Sequence, residues 1–133
     1  MNKNYPIYKT TFIDDMRSLV EESAQNFPDS IAISYKDKPS DKEVKKVTFT
    51  QWRDDVRHLG TSLIANGLRE ENIAIVGENT YGWCCSFFAV MGIGSVTVPV
   101  DKELPIEDID GIITTTSCKA VIYGKTAEEK IKE

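Results

Sequence analysis

The chain has 133 residues, 41% hydrophobic and 28% charged, with a formal charge of -5 and a pI near 5.0. That length and composition describe one folded domain with its own core and a radius of gyration of about 14 Å, not a disordered segment. The acidic balance argues against nucleic acid or polyphosphate as the main ligand, since such surfaces gather Lys and Arg.

No run approaches the roughly 18 apolar residues of a membrane span, and Met1 to Pro6 lacks the apolar stretch of a secretory signal, so a cytoplasmic location is expected. Three cysteines, Cys84, Cys85 and Cys118, are odd in number, and Cys84 and Cys85 lie inside an apolar helical pattern. Without a second Cys or His pair at ligand spacing, they read as buried thiols and not as a disulfide framework or a metal site.

Residues 1–10 are expected to be flexible. From Thr11 to Phe27 the apolar residues Phe12, Met16, Leu19, Val20, Ala24 and Phe27 keep to one helical face. Thr11 with Asp14 resembles a capping box, and Pro28 stops the helix. Ile31 to Tyr35 and Val44 to Phe49 then read as an antiparallel hairpin at a sheet edge. The turn between them carries Lys36 to Lys46 interleaved with Asp37, Asp41 and Glu43, a solvated loop more than a basic patch.

Thr50 is the expected N-cap of a second helix with Trp52, Val56, Leu59 and Leu63 on its apolar face. Asn66-Gly67-Leu68 predicts a Schellman end, with Gly67 in the left-handed region. His58 falls off the apolar stripe and reads as solvent-facing.

Ile73 to Val76 and Val96 to Val100 are two short β-branched runs separated by a segment of helical length. Such a βαβ unit makes the strands parallel and calls for helices over both sheet faces. Asn79 or Thr80 caps the intervening helix, which is apolar nearly all round and is expected to be the core, with Trp83, Phe87, Val90 and Met91 on one face. A fourth helix is expected after Pro105, with Glu107 and Asp108 in its first turn and Ile106, Ile109, Ile112 and Ile113 on its apolar face. Ala120 to Tyr123 is the last strand, and 124–133 reads as the start of a further helix that stops short.

The pattern predicts a three-layer αβα sandwich with a mainly parallel sheet plus an N-terminal antiparallel hairpin, all within one domain, 1–133. The motifs that imitate phosphate loops fail on spacing. Gly92-Ile93-Gly94 runs from helix into strand and lacks a third glycine, Gly124-Lys125-Thr126 is preceded five residues earlier by Lys119, and Thr114 to Ser117 has no glycine. Nothing supplies a nucleophile with its base, and no residue is assigned a catalytic, cofactor-binding or metal-binding role.

Five blocks do carry a resemblance. They are Phe27-Pro28-Asp29 with Ile31-Ala32-Ile33; Val47-Thr48-Phe49 with Gln51-Trp52; Leu63, Ala65 and Gly67-Leu68; Ile73-Ala74-Ile75-Val76 with Glu78-Asn79 and Trp83; and Ala89-Val90-Met91-Gly92-Ile93-Gly94 with Val96-Thr97-Val98-Pro99-Val100-Asp101. In this order and spacing the chain, from about Thr11 to Tyr123, resembles the N-terminal part of the AMP-forming adenylate enzymes: acyl-CoA synthetases, luciferases and the adenylation domains of peptide synthetases. Glu78-Asn79, Trp83 and the Asp101 to Pro105 turn are most similar to long-chain fatty acyl-CoA ligases.

The resemblance implies a parent enzyme that uses ATP and Mg to turn a fatty acid into an acyl-adenylate and passes the acyl group to CoA. In that family the phosphate loop, the Thr-Glu pair, the ribose-binding Asp and the hinge-domain Lys lie further along than this chain runs, so none is carried onto a residue here. The expected role of these residues is scaffold, with no cofactor of their own, the remainder of the ligase as partner, and self-association as a further expectation. Two other readings stay open: an adenylation domain that loads an amino or aryl acid onto a carrier protein, and a free-standing flavodoxin-like module with its ligand near Gly77, Glu78 and Asn79.

Overall fold

The computed structural model describes residues 12–132. The expectations for residues 1–10 and for Thr11 as a cap lie outside the described residues. Helix α1 spans Met16–Asn26 and starts later than the periodicity predicts. Asp15, in extended backbone, accepts the Ser18 N–H at 2.7 Å and fixes the first turn there, which leaves Phe12 off the helix and 84% exposed. Only Val20 and Ala24 of the expected face are fully buried.

Strands β1 (Ile31–Tyr35) and β2 (Lys45–Thr48) pair antiparallel with a register shift between Ile31 and Ile33. They form a sheet of their own and not the edge of the larger one. The reason is a lack of chain slack: β2 runs directly into α2 (Phe49–Ala65), so the hairpin stays over that helix, where Ala32, Ile33 and Val47 pack on the core.

The cap of α2 is Thr48, not Thr50. Thr48 Oγ1 accepts the Gln51 N–H at 3.2 Å while Gln51 Oε1 accepts the Thr48 N–H at 2.9 Å, a reciprocal capping box that Thr50 cannot form. The Thr50 hydroxyl instead donates to the Pro28 carbonyl at 3.0 Å. Thr48→Ala is expected to lower stability by about 1 kcal/mol. Urea denaturation checks this, and an unchanged midpoint for Thr48→Ala would mean that the helix is capped elsewhere. At the other end Leu68 N–H donates to Leu63 O at 3.1 Å and Gly67 N–H to Ile64 O at 2.9 Å, with Gly67 at φ +75, a Schellman end as the sequence predicts.

Strands β3 (Asn72–Val76), β4 (Val96–Val100) and β5 (Ala120–Tyr123) form a parallel sheet in the order β4-β3-β5. Ile73 pairs with Thr97 on one side and Ala120 on the other. Alternation along β3 sends Ile73 and Ile75 into one layer and Ala74 and Val76 into the other. The first layer holds Val20, Trp52, Val56 and Leu63 from α1 and α2, with Cys85, Ala89 and Val90 from α3 (Tyr81–Gly92). The second holds Ile109 from α4 (Ile106–Thr115), with Val100 and Ala127. Helices on both faces of a parallel sheet make the three layers.

The core-facing side of α3 differs from expectation. Cys85, Ser86, Ala89 and Val90 are buried, while Trp83, Phe87 and Met91 are only half-buried. Small side chains let α3 approach the sheet, and the bulky ones go to the flank, where Trp83 and Phe87 stack with centroids 5.5 Å apart. The chain past β5 makes a 3₁₀ turn, Lys125–Ala127, and a short helix α5, Glu128–Lys132, whose Ile131 packs against the second core layer.

Candidate functional site

Ligands of open α/β sheets bind outside the carboxyl ends of the strands, which makes the Gly77 to Thr80 loop after β3 the first place to look. It is tightly packed. A Cβ on Gly77 would stand 3.2 Å from the Gly124 backbone nitrogen, so glycine is what lets the ends of β3 and β5 meet. The N-terminus of α3 is already capped: Thr80 Oγ1 accepts the Trp83 N–H at 3.1 Å, the Thr80 carbonyl accepts the Cys84 N–H at 3.0 Å, and Thr80 N–H donates to Glu78 O at 2.7 Å.

The charges at this end are spent on one another. Lys102 Nζ lies 2.5 Å from Glu103 Oε1 and 3.5 Å from Glu78 Oε1, and the Glu103 contact holds the ammonium above its usual pKa. Lys130 Nζ donates to the Lys102 and Leu104 carbonyls at 2.8 and 3.0 Å, tying α5 to this loop. Among the described residues no group of three His, Cys, Asp or Glu side chains converges on a metal position. At this loop Lys102 and Lys130 are engaged and the first turn of α3 is closed by its own Thr80, while Lys125, next to Gly124, is exposed and enters no ion pair among the described residues.

The three phosphate-like motifs are chain-end devices. Gly94, at φ +81, turns α3 into β4, with Ser95 N–H donating to Val90 O at 3.1 Å. Gly124 to Thr126 enters the 3₁₀ turn. Thr116 closes α4 by donating to Ile112 O at 2.6 Å. His58 is exposed.

One cluster was not readable from the sequence. Tyr35 and Tyr81 stack with centroids 5.1 Å apart, and the Tyr81 hydroxyl donates to Asp55 Oδ2 at 2.6 Å. The two rings come from elements far apart in the chain, so no local pattern announces them. Burial, then the Asp55 contact, pushes the phenol well above its usual range, which leaves Tyr81 a donor that pins α3 to α2 and not a base.

The three cysteines are free thiols. Burial pushes the Cys85 thiol up to about 11 and raises Cys84 as well. Both are therefore protonated at neutral pH and expected to resist iodoacetamide at pH 7.5, reacting at least tenfold slower than in urea. Mass spectrometry of timed samples checks this, and rapid native labelling of Cys85 would refute its burial.

Three parallel strands between helix layers, preceded by a separate hairpin, are an α/β sandwich of the kind that many nucleotide-using enzymes share. Residues 20–133 match the family of AMP-binding enzymes, and the chain belongs to that family. It is 26% identical over 128 residues to a subunit of the mycosubtilin synthase of Bacillus subtilis, covering 96% of this chain and 4% of that protein. It is 26% identical over 80 residues to the long-chain-fatty-acid–CoA ligase FadD13 of Mycobacterium tuberculosis, covering 59% of this chain and 16% of that one. The inhibitor-bound N-terminal domain of FACL13 from Mycobacterium tuberculosis superposes with a TM-score of 0.76 at 22% identity, over 89% of this chain and 29% of that. The chain thus spans a small part of the length of the relatives it matches. Among the described residues no helix is long and apolar enough to cross a membrane.

Proposed function

We propose that these residues are the N-terminal scaffold of a cytoplasmic, AMP-forming acid–thiol ligase that activates a fatty acid as its adenylate and transfers the acyl group to CoA. The observation that carries this is a family match over residues 20–133 in a chain that spans only a small part of the length of its relatives. In this reading ATP, Mg and CoA are held by the remainder of the same ligase, and this domain supplies the sheet and helices against which that remainder packs. Exposed apolar side chains on both edge strands, Val96 on β4 and Tyr123 on β5, are in keeping with such a neighbour. Without it, the isolated domain self-associates.

Fatty acid as substrate rests on Glu78-Asn79, Trp83 and the Asp101 to Pro105 turn together with the similarity to FadD13. The similarity to mycosubtilin synthase, which covers more of this chain, favours a second reading in which the acid is an amino or aryl acid and the acceptor a carrier protein. ATP–pyrophosphate exchange by the polypeptide the whole reading frame encodes separates the two. Exchange driven by dodecanoate or palmitate supports the first, exchange driven only by amino or aryl acids supports the second, and none with either class rejects the ligase.

A further inference from the structure

We propose that the groove between α1, α2 and α3 binds a long-chain carboxylate, at a place separate from any adenylation chemistry. The groove has a volume of about 660 Å³, inside the range of about 300–1,000 Å³ typical of small-molecule sites. Arg69 lies just ahead of β3 and Gly94 just ahead of β4, so the groove opens at the end of the sheet where the strands begin. That is the pole opposite the Gly77 to Thr80 loop, and the site is independent of how the ligase reading fares.

The floor is apolar, with Val20 from α1, Val56 from α2 and Ala89 from α3, followed by Ile93. It runs along α2 from Val56 to Ile64, about 12 Å at 1.5 Å per residue, a bed for an extended hydrocarbon tail. The rim selects the head group. Arg17, Arg57 and Arg69, three of the four arginines in the chain, line the groove, and none of its lysines does. A guanidinium presents a planar fork that matches a carboxylate in a way an ammonium does not.

Three carboxylates share the rim, and two are already committed. Glu21 accepts both Arg57 bonds, at 2.6 and 2.5 Å. Asp15 caps α1, and the Ser18 amide holds its carboxyl below the usual 3.8. Glu70 pairs with Arg69, 3.6 Å from Nε, in an exposed ion pair of the kind worth little in water, and Arg17 enters no ion pair among the described residues. Arg17 is thus free to take an incoming carboxylate, and Arg69 can exchange Glu70 for it.

Calorimetric titration of the protein with dodecanoate below its micelle concentration tests the assignment, with acetate and phosphatidylglycerol vesicles as the other arms. Saturable one-site binding of dodecanoate, weakened at least tenfold in Arg17→Ala/Arg69→Ala, is the expected result. Gly92→Leu provides a second handle. A Cβ at Gly92, which lines the groove, meets nothing within 4 Å, so a side chain can start there without a clash at its Cβ, and binding should again fall at least tenfold. Absence of dodecanoate binding, equal affinity for acetate, binding to vesicles alone, or affinity untouched by both variants would each overturn the proposal.

Discussion

Trp52→Ala is expected to destabilise the domain by about 3–5 kcal/mol, a large share of the roughly 5–15 kcal/mol of a typical domain. Trp52 is only 7% exposed and stands at the centre of a chain of rings: Phe49 lies 6.2 Å away and Phe88 4.9 Å away edge-to-face, and Phe88 in turn meets Phe87 at 5.6 Å. Removing the indole opens a cavity between the hairpin, α2 and α3 that none of these elements can fill without moving. Trp52→Phe should behave differently. The indole Nε1 is buried without a hydrogen-bond partner, a defect that costs about 1–3 kcal/mol. Phenylalanine removes that donor while keeping most of the apolar area, so its net cost should stay within about 1 kcal/mol. Urea denaturation should show the alanine midpoint falling sharply at an unchanged slope, with the phenylalanine midpoint near wild type. A phenylalanine variant as damaged as the alanine one would mean that the Nε1 proton is in fact bonded.

The same helix shows where sequence reading works and where it stops. The stripe Trp52, Val56, Leu59, Leu63 is legible because side chains three and four apart share a helical face, and all but the half-buried Leu59 are buried. The start of α2 was misplaced by two residues because Thr48 and Thr50 are equally good hydroxyl caps taken singly. What decides between them is Gln51, three positions after Thr48, and that clue was present in the sequence. In α3 periodicity had nothing to resolve, since a helix apolar on every side names no face. Size decided it, with Cys85, Ser86 and Ala89 turned inward and Trp83 pushed to the flank. The strands β3, β4 and β5 were legible almost to the residue, being β-branched runs bounded by glycine and polar turns. The Tyr35–Tyr81 stack and the arginine-rimmed groove were not, since each is assembled from segments whose spacing in the chain carries no signal.

The largest effect is expected in activity. The polypeptide of residues 1–133 should release no pyrophosphate from ATP with any fatty acid, although the ligase to which we assign it should. Adenylate formation needs donors on the reacting phosphate, a metal, and a cation against the leaving pyrophosphate, and loss of one preorganised donor alone costs about 10²–10³ in rate. At the strand ends of this domain the Thr80 hydroxyl is spent on the first turn of α3, Lys102 is held by Glu103 and Glu78, and Lys130 is bound to two carbonyls. Glu78 and Glu103 would repel an incoming triphosphate, and of the lysines at these strand ends only Lys125 enters no ion pair or hydrogen bond among the described residues. Calorimetry with Mg-ATP should accordingly show no binding at micromolar concentrations. Should it show binding, the scaffold assignment fails, and Lys102→Ala becomes the informative variant: loss of affinity would mean that the lysine leaves its carboxylates for the phosphates, which places the nucleotide at the Gly77 to Thr80 loop.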